Sequence, residues 1–372
     1  MNELEALLAL TSISGLGPVR IRVLKKYFGS AVEAVNASVE ALSELHGISW
    51  QLAEQIAAIA SSISDAQAPW RRDRDLAEKM GVAIISVDDP RYPAPLFDLP
   101  DAPTLIYVKG TLKETDRRAV AVIGTRNASV YGTTMAEKLS TDLAAYKQTI
   151  VSGLARGIDT AGHCGALKIP DGRTLAVIGS GLARLYPREN RHLADRIAEN
   201  GALISEFGME VPPDKQTFPR RNRLVSALSR ALLLIEAPLV SGAMMTMRLG
   251  KQHKRILAAI PGRLDHPNFE GNHEWLHLRE AHLIRNARDL MVHLEPQASI
   301  SPPCATRRRD PYEGLDQEEQ VVVRCLEREE CSIDELFSQT KLPIARLTGM
   351  LIGLVIKKRI RELPGKRYQR LN

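Results

Sequence analysis

The chain has 372 residues, 44% hydrophobic and 25% charged, and its 50 Lys and Arg against 44 Asp and Glu give a formal net charge of +6. Such a composition excludes a disordered or fibrous chain and leaves room for two or three domains with sizeable cores. The charge excess is too small on its own to argue for nucleic acid, so the location of the charges matters more than their sum.

At the N-terminus, Met1-Asn2-Glu3-Leu4-Glu5 lacks a basic leader region, and no apolar run approaches the roughly 18 residues that span a bilayer. A cytoplasmic protein with no membrane partner is expected. Residues 1–65 carry helical periodicity throughout. Within them Ile13-Ser14-Gly15-Leu16-Gly17-Pro18 precedes a helix over Val19–Phe28, and His46-Gly47-Ile48 precedes another over Trp50–Ile63. A glycine hairpin feeding the free amides of a helix start is the basis of phosphate binding by helix-hairpin-helix units. The segment resembles that motif and sterile-alpha-motif-like modules. The plainer interpretation of Gly15 and Gly17 as helix-terminating turns is preferred, because only the first hairpin matches well. The domain is left to bind DNA weakly or a protein partner.

Residues 66–118 hold Asp88-Asp89-Pro90-Arg91-Tyr92-Pro93-Ala94-Pro95 and Pro100-Asp101-Ala102-Pro103, then a strand-like Thr104-Leu105-Ile106-Tyr107-Val108. Prolines fix extended geometry and disrupt strand pairing, so an extended lead-in that wraps the edge of a sheet is expected.

Residues 119–295 contain four apolar runs that end in polar or glycine turns. These are Ala119–Ile123 before Gly124-Thr125-Arg126, Thr149–Val151 before Ser152-Gly153, Leu175–Ile178 before Gly179-Ser180-Gly181, and Leu232–Ile235 before Glu236. Short non-alternating runs suit parallel strands covered on both faces by helices. The spacing predicts an α/β domain with a Rossmann-like doubly wound sheet, whose ligand sits beyond the carboxyl ends of the strands. Lys215, Arg220, Arg221 and Arg223 form a cationic cluster within this domain.

A Pro- and Ser-rich stretch at 296–312, with Arg307-Arg308-Arg309, reads as a linker. Beyond it, residues 313–372 show three short helices, Gln317–Leu326, Ser332–Thr340 and Ile344–Ile356, and two alternating strands around Pro364-Gly365. Three helices and a terminal hairpin make a winged helix. Its third helix offers Ala345, Arg346, Thr348 and Gly349 in its first turns, a poor set for reading base edges, so sequence-specific duplex binding is the minority reading. From Lys341 onward, Lys341, Arg346, Lys357, Lys358, Arg359, Arg361, Lys366, Arg367 and Arg370 face the single acid Glu362. Two basic loci in separate segments suit a polyanion long enough to touch both.

Cys164, Cys304, Cys325 and Cys331 form no CxxC pair and no zinc spacing, so reduced thiols and no metal are expected. There is no GxxxxGK[ST] loop. Gly179-Ser180-Gly181 begins like a dinucleotide fingerprint, but Arg184 stands at its third glycine and no acid follows at the right spacing. No cofactor is expected.

Residue by residue, the α/β segment then matches a known pattern. Val122-Ile123-Gly124-Thr125-Arg126 with Tyr131-Gly132, Val151-Ser152-Gly153-Leu154-Ala155-Arg156-Gly157-Ile158-Asp159 with His163, Gly172–Val177 with Tyr186-Pro187, and Ser205-Glu206 come first. Phe218-Pro219-Arg220-Arg221-Asn222-Arg223, Glu236-Ala237 with Ser241-Gly242, and Pro261-Gly262 follow in order. Together they closely resemble the DNA-processing protein A (DprA, or Smf) family over the whole α/β domain, and the flanks resemble the family's optional helical and winged-helix domains. The resemblance implies a non-catalytic protein that binds incoming single-stranded DNA, protects it and loads the RecA recombinase in natural transformation. Implied partners are single-stranded DNA, RecA and a second copy of the chain, and a single-strand-binding protein is allowed.

By motif, the resemblance implies that Arg126, in the turn Gly124-Thr125-Arg126, contacts a backbone phosphate. Lys215 and Phe218, in the segment continued by Arg221, Asn222 and Arg223, contact phosphate and stack on a base. Ser152, Gly153, Ser241 and Gly242 line the pocket. The chemistry agrees: turn amides cradle phosphate oxygens, arginine grips them bidentately, and an aromatic beside cations is a sequence-tolerant base platform. On the residues alone, Phe218 is equally a core aromatic and Gly153 or Gly157 a plain turn. Arg156 and Asp159 are expected to form a structural ion pair at a helix start, and His163 to be a packed helix residue.

The sequence departs from the family at Ala243-Met244-Met245-Thr246-Met247 and at Gly271-Asn272-His273-Glu274-Trp275, where larger side chains are expected to reshape one pocket wall near Ser241, Gly242 and Asn272. One enzymatic alternative competes. The architecture resembles nucleoside-monophosphate phosphoribohydrolases of the lysine-decarboxylase-like group, with Glu236 as catalytic carboxylate. Pro261-Gly262-Arg263-Leu264-Asp265 breaks that group's PGGxGTxxE signature, so the alternative ranks second.

Overall fold

A computed structural model of the chain describes residues 1–61, 65, 67–296, 312, 314–326, 330–357, 359–363 and 365–371. It divides into two compact units, Met1–Ser301 and Pro302–Asn372.

The first unit opens with helices α1 (Glu3–Ser12), α2 (Pro18–Phe28), α3 (Ala31–Val35), α4 (Val39–Ser43) and α5 (Trp50–Ser61). Their starts are written locally. Asn2 and Glu5 form a reciprocal capping box on α1, Pro18 occupies the first turn of α2, and Ser30 and Ser38 cap α3 and α4. Gly15 and Gly47, with φ of 85° and 87°, make the turns ahead of α2 and α5. Leu7, Leu10, Ile21, Leu24 and Ile56 are buried in one cluster that also takes in Trp70, Ile178 and Leu203. These helices therefore share a core with the sheet.

Residues 66–118 depart from the expected extended wrap. Pro69 starts a helix, α6 (Pro69–Lys79), whose Trp70 and Ala77 are buried; the charged run between them hides that i, i+7 spacing from inspection. Strands β1 (Val82–Ser86) and β2 (Leu105–Gly110) then pair antiparallel. The prolines lie in the connection between these strands, which includes a 3₁₀ turn over Ala94–Asp98. Both strands are free of proline and keep every ladder donor, so they extend the sheet and do not skirt it.

The rest of the sheet comprises β3 (Ala119–Ile123), β4 (Thr149–Ser152), β5 (Thr174–Ile178), β6 (Ala202–Ser205), β7 (Ala231–Leu234), β8 (Ile256–Ala259) and β9 (His282–Leu283). Its order is β1-β2-β6-β5-β4-β3-β7-β8-β9; β2 joins β6 antiparallel, and β6 through β9 run parallel. The intervening helices are α7 (Val130–Ala145), α8 (Ile158–Ala166), α9 (Arg191–Asn200), α10 (Thr217–Ala227), α11 (Gly242–Gln252), α12 (Glu270–His277) and α13 (Ala287–Leu294). Val120 and Val122 bury into one core with Leu139, while Ala121 and Ile123 bury into the other with Leu224. A strand buried on both faces gains nothing from alternation, which is why these runs are uniformly apolar. From β3 the chain steps outward through β4, β5 and β6, then returns to the other flank of β3 as β7. The β3/β7 crevice is thus the topological switch point.

Helices α7 and α8 meet backbone to backbone. A Cβ on Gly165 would stand 2.2 Å from the Glu137 carbonyl oxygen. Gly165→Ala is expected to lower unfolding free energy by about 1–3 kcal/mol through overpacking; an unchanged urea midpoint would show that the two helices yield.

The second unit holds α14 (Gln317–Cys325), β10 (Cys331–Ser332), α15 (Ile333–Thr340), α16 (Ile344–Ile356), β11 (Ile360–Leu363) and β12 (Arg367–Arg370). Its three strands are ordered β10-β12-β11, and Val322, Leu336, Leu347, Leu351 and Leu354 form its core. This is a winged helix. Of the expected linker at 296–312, with its three arginines, all but Pro296 and Tyr312 lies outside the described residues, as do Cys304, Lys358 and Pro364.

Candidate nucleic-acid interface

Beyond the carboxyl ends of β3, β4 and β7 lies a cleft of ≈ 480 Å³. Each strand delivers one wall. After β3, the turn 124–126 is pressed against its neighbours: a Cβ on Gly124 would stand 2.5 Å from Ile158 and 2.8 Å from the Glu236 carbonyl oxygen, and the Thr125 amide donates to that same oxygen at 2.7 Å. The turn ends on Arg126, which is exposed. Gly153 and Ala155 follow β4, and Pro238, Val240, Ser241 and Gly242 follow β7. Ser241 caps α11 by accepting from the Met244 amide at 3.3 Å.

The fourth wall is α10 with the residues leading into it. Phe218, Arg221, Asn222 and Val225 recur at helical spacing and line the cleft together with Lys215. Arg220 and Arg223 fall on another face of α10 and line a different cavity. The cationic segment is therefore divided between two surfaces, which a linear motif does not reveal. Phe218 is half-buried, its ring edge against Gly179, where a Cβ would come within 2.8 Å of the ring. The Arg126 guanidinium stands over the ring, its Cζ 4.8 Å from the centroid, and Tyr186 approaches with a 6.2 Å centroid separation. Arginine and aromatic form one stacked pair at the mouth.

Beneath that pair lies a buried polar cluster. Arg221 is 5% exposed; its Nη1 donates to the Val177 carbonyl and its Nε to Asn222 Oδ1 at 3.2 Å. A Cβ on Gly153 would be 2.0 Å from that Nη1, so glycine there makes room for the guanidinium. Burial lowers the Arg221 pKa, opposed by Asp159. Burial likewise raises the Asp159 carboxyl, against Arg221 and against amides donated by Gly153 at 3.1 Å and Ala155 at 3.3 Å. The two shifts share a cause, desolvation, and each partner moderates the other. With Asp159 set against Arg221, the open part of the cleft presents Arg126 and Lys215.

His163 is fully buried, as a packed helix residue. Thr174 Oγ1 donates to the Ile150 carbonyl at 2.8 Å, so the 2.7 Å contact with His163 Nδ1 makes the ring the donor. Burial, then Arg221, pushes the imidazole down to about 3 from 6.5. Between those values the unfolded chain binds a proton that the folded chain refuses, so stability present above pH 6.5 is lost as pH falls. Urea unfolding is expected to show a loss of up to about 1.4 kcal/mol per pH unit below pH 6 that His163→Gln abolishes; equal slopes in the two proteins would contradict it.

Several expected residues stand elsewhere. Ser152 is wholly buried, its hydroxyl donating to the Val122 carbonyl at 2.7 Å, because it still belongs to β4. Arg223 is held by Glu206, and by Asp101 at 3.2 Å, away from the cleft. Arg156 pairs with exposed Glu189, not with Asp159. Asn272 is a core staple: it accepts from the Ala237 amide and donates to the carbonyls of Ile235 and Ile260, so the second departure from the family pattern does not form a cleft wall. The first does, through Met245 and Thr246. Asp159 and Val240 were missed as cleft residues; their roles arise from tertiary approach. Glu236 is fully buried and accepts from the Ser129 amide and hydroxyl and from Asn268 Nδ2 at 2.7 Å; it does not line the cleft.

In the winged helix, Arg346 is paired with Glu318 at 2.9 Å, and exposed Ile344, Ile352 and Ile356 mark the solvent side of α16. Among the described residues no helix is long and apolar enough to cross a membrane.

Comparison with known proteins now bears on this geometry. The family model described as DNA recombination-mediator protein A matches residues 83–295, that of the DprA winged helix domain residues 306–366, and that of a SAM-like helix-hairpin-helix tandem residues 7–61. Protein Smf of Synechocystis is 29% identical, with 98% of each chain covered. Among solved structures, DNA processing protein A (DprA) from Streptococcus pneumoniae superposes with a TM-score of 0.66 at 31% identity, covering 78% of this chain and 98% of that one. DNA processing protein A from Helicobacter pylori, solved for its single-stranded DNA binding mode, gives a TM-score of 0.53 at 31% identity, covering 58% and 96%. With the recombination-mediator model spanning more than half of its length, and a helical segment and a winged helix on either side, the chain belongs to the DprA/Smf family of DNA-processing proteins.

Proposed function

We propose that the cleft at the β3/β7 crevice holds a single strand of DNA, with backbone phosphates on Arg126 and Lys215 and a base against the Arg126–Phe218 pair. The observation that carries this reading is the stacking of Arg126 on Phe218 beside exposed Lys215, in a cleft walled by the turns that follow β3, β4 and β7. Cation and aromatic at one mouth serve backbone and base of an unpaired strand, whereas the bases of a duplex are turned inward. The Helicobacter pylori relative points the same way. In a recombination mediator, strand binding of this kind serves to protect incoming DNA and pass it to a RecA-type recombinase during transformation, without turnover. A second copy of the chain would offer a second cleft.

Fluorescence anisotropy of labelled oligo-dT against a duplex of equal length tests the reading. Preference for the single strand, falling steeply with salt, is expected; equal or tighter duplex binding would move attention to the winged helix. The phosphoribohydrolase alternative needs Glu236 free to work on a substrate, and every bond described for that carboxylate is internal. Release of free base from a nucleoside monophosphate, abolished by Glu236→Gln, would restore it.

A further inference from the structure

Tyr186 is 42% exposed and does not line the cleft, yet its ring meets Phe218 at a centroid separation of 6.2 Å with the two planes inclined by 58°. A flat base cannot lie on both planes at that inclination. A base stacked on Tyr186 is therefore a different one from the base at Phe218, and the contact between the rings makes the two positions neighbours.

The backbone around Tyr186 is held as a platform requires. It belongs to the connection from β5 to α9, between the short turns Leu182–Arg184 and Arg188–Asn190. Before it, the buried Ser180 hydroxyl donates to the Arg184 carbonyl at 3.0 Å, and the Ala183 amide donates to the Met209 carbonyl at 3.0 Å. After it, buried Asn190 donates from Nδ2 to the Leu154 carbonyl and to Thr160 Oγ1, both at 2.9 Å. Leu154 directly precedes Ala155 of the cleft, so the Tyr186 segment is tied to the wall that follows β4. An aromatic supported in this way loses little freedom on binding.

The charges nearby decide what kind of contact is made. Arg156, next in the chain to Ala155, pairs with Glu189. Glu189 first, and Tyr186 after it, raise the Arg156 pKa, so the phenol is within electrostatic reach of that guanidinium. Arg184 pairs with Glu210 at 3.4 Å. Both cations are offset by a carboxylate, which leaves the aromatic face as the main resource of this place. Arg188 and Arg191, exposed and without a carboxylate partner among the described residues, keep the segment attractive to a polyanion.

We infer that Tyr186 is a second base platform: the nucleotide adjoining the one at Phe218 lays its base on the exposed Tyr186 ring, and the strand leaves the cleft over the connection from β5 to α9. This inference rests on the strand placement proposed above.

Fluorescence anisotropy of the full chain with the shortest oligo-dT that reaches full affinity tests it. Tyr186→Ala is expected to weaken binding by about 10-fold, within the range for one lost stacked base, and Tyr186→Phe to stay within about 2-fold of wild type. Neither variant should change the slope of log affinity against log salt, since a neutral ring neutralises no phosphate. Replacing single thymidines by abasic residues locates the stacked bases. The wild type should show two adjacent positions at which loss of the base weakens binding, and Tyr186→Ala should show one. Arg126→Ala with Lys215→Ala, measured in parallel, separates the two claims. If that double variant loses affinity and Tyr186→Ala does not, the second platform falls while the cleft stands; if neither loses affinity, both fall. Weakening by Tyr186→Ala with both sensitive positions retained would also overturn the inference, because Tyr186 would then only buttress Phe218.

Discussion

Replacing Arg126 and Lys215 together by alanine is expected to weaken oligo-dT binding by about 100-fold at 0.1 M salt, while far-ultraviolet circular dichroism and melting temperature stay at wild-type values. Both side chains are exposed cleft residues, and neither fills a core. A charge-assisted contact to phosphate contributes about 1.5–3 kcal/mol, so losing two at the lower end of that range corresponds to roughly two powers of ten. Salt dependence provides the second signature. Each phosphate neutralised on a single strand contributes about 0.7 to the slope of log affinity against log salt, so the double variant should flatten that slope by about 1.4. The Arg126 replacement also removes the guanidinium that covers Phe218. Affinity lost without a change in salt slope would mean that the two residues shape the cleft and do not neutralise phosphate.

Arg221→Leu is expected to act differently, lowering unfolding free energy by about 3 kcal/mol before any effect on DNA is considered. The guanidinium is buried, donates to the Val177 carbonyl and is the main charge opposing the desolvation of Asp159. Removing it leaves a buried carboxyl without compensation and a main-chain acceptor unsatisfied. The pair Arg221→Leu and Asp159→Asn should cost less than the sum of the two single changes, since the uncharged amide needs no countercharge. Chemical denaturation of the four proteins measures that coupling. Strict additivity would show that Arg221 and Asp159 act independently.

The contrast between these two predictions shows how far a motif can be read. The parallel strands were legible because burial on both faces leaves uninterrupted apolar runs, and their carboxyl-end turns were legible because Gly124 and Gly153 sit where backbone or guanidinium comes within van der Waals reach. Lys215, Phe218, Arg221 and Asn222 were legible as a group, but Arg223, expected in the same pocket, lies outside it. A helix turns 100° per residue, so Arg220 and Arg223 point away from the cleft that Phe218 and Arg221 line. Asp159 and Asn272 were misjudged for a related reason: their partners, Arg221 and the Ala237 amide, are distant in sequence and fixed only by the fold. Helix α6 was missed because its charged middle conceals two buried positions seven residues apart, and strand β1 because prolines that follow it dominated the segment.

Photocrosslinking tests the placement of the strand most directly. A 4-thiothymidine-containing oligo-dT, bound to the full chain at low salt and irradiated, reports the residues in contact with a base once the crosslinked peptides are sequenced. The account predicts adducts concentrated on the peptide that carries Phe218, reduced by Arg126→Ala with Lys215→Ala. Adducts confined to α16 and the hairpin β11–β12 would contradict it, placing the strand on the winged helix and leaving the sheet edge without the role assigned to it.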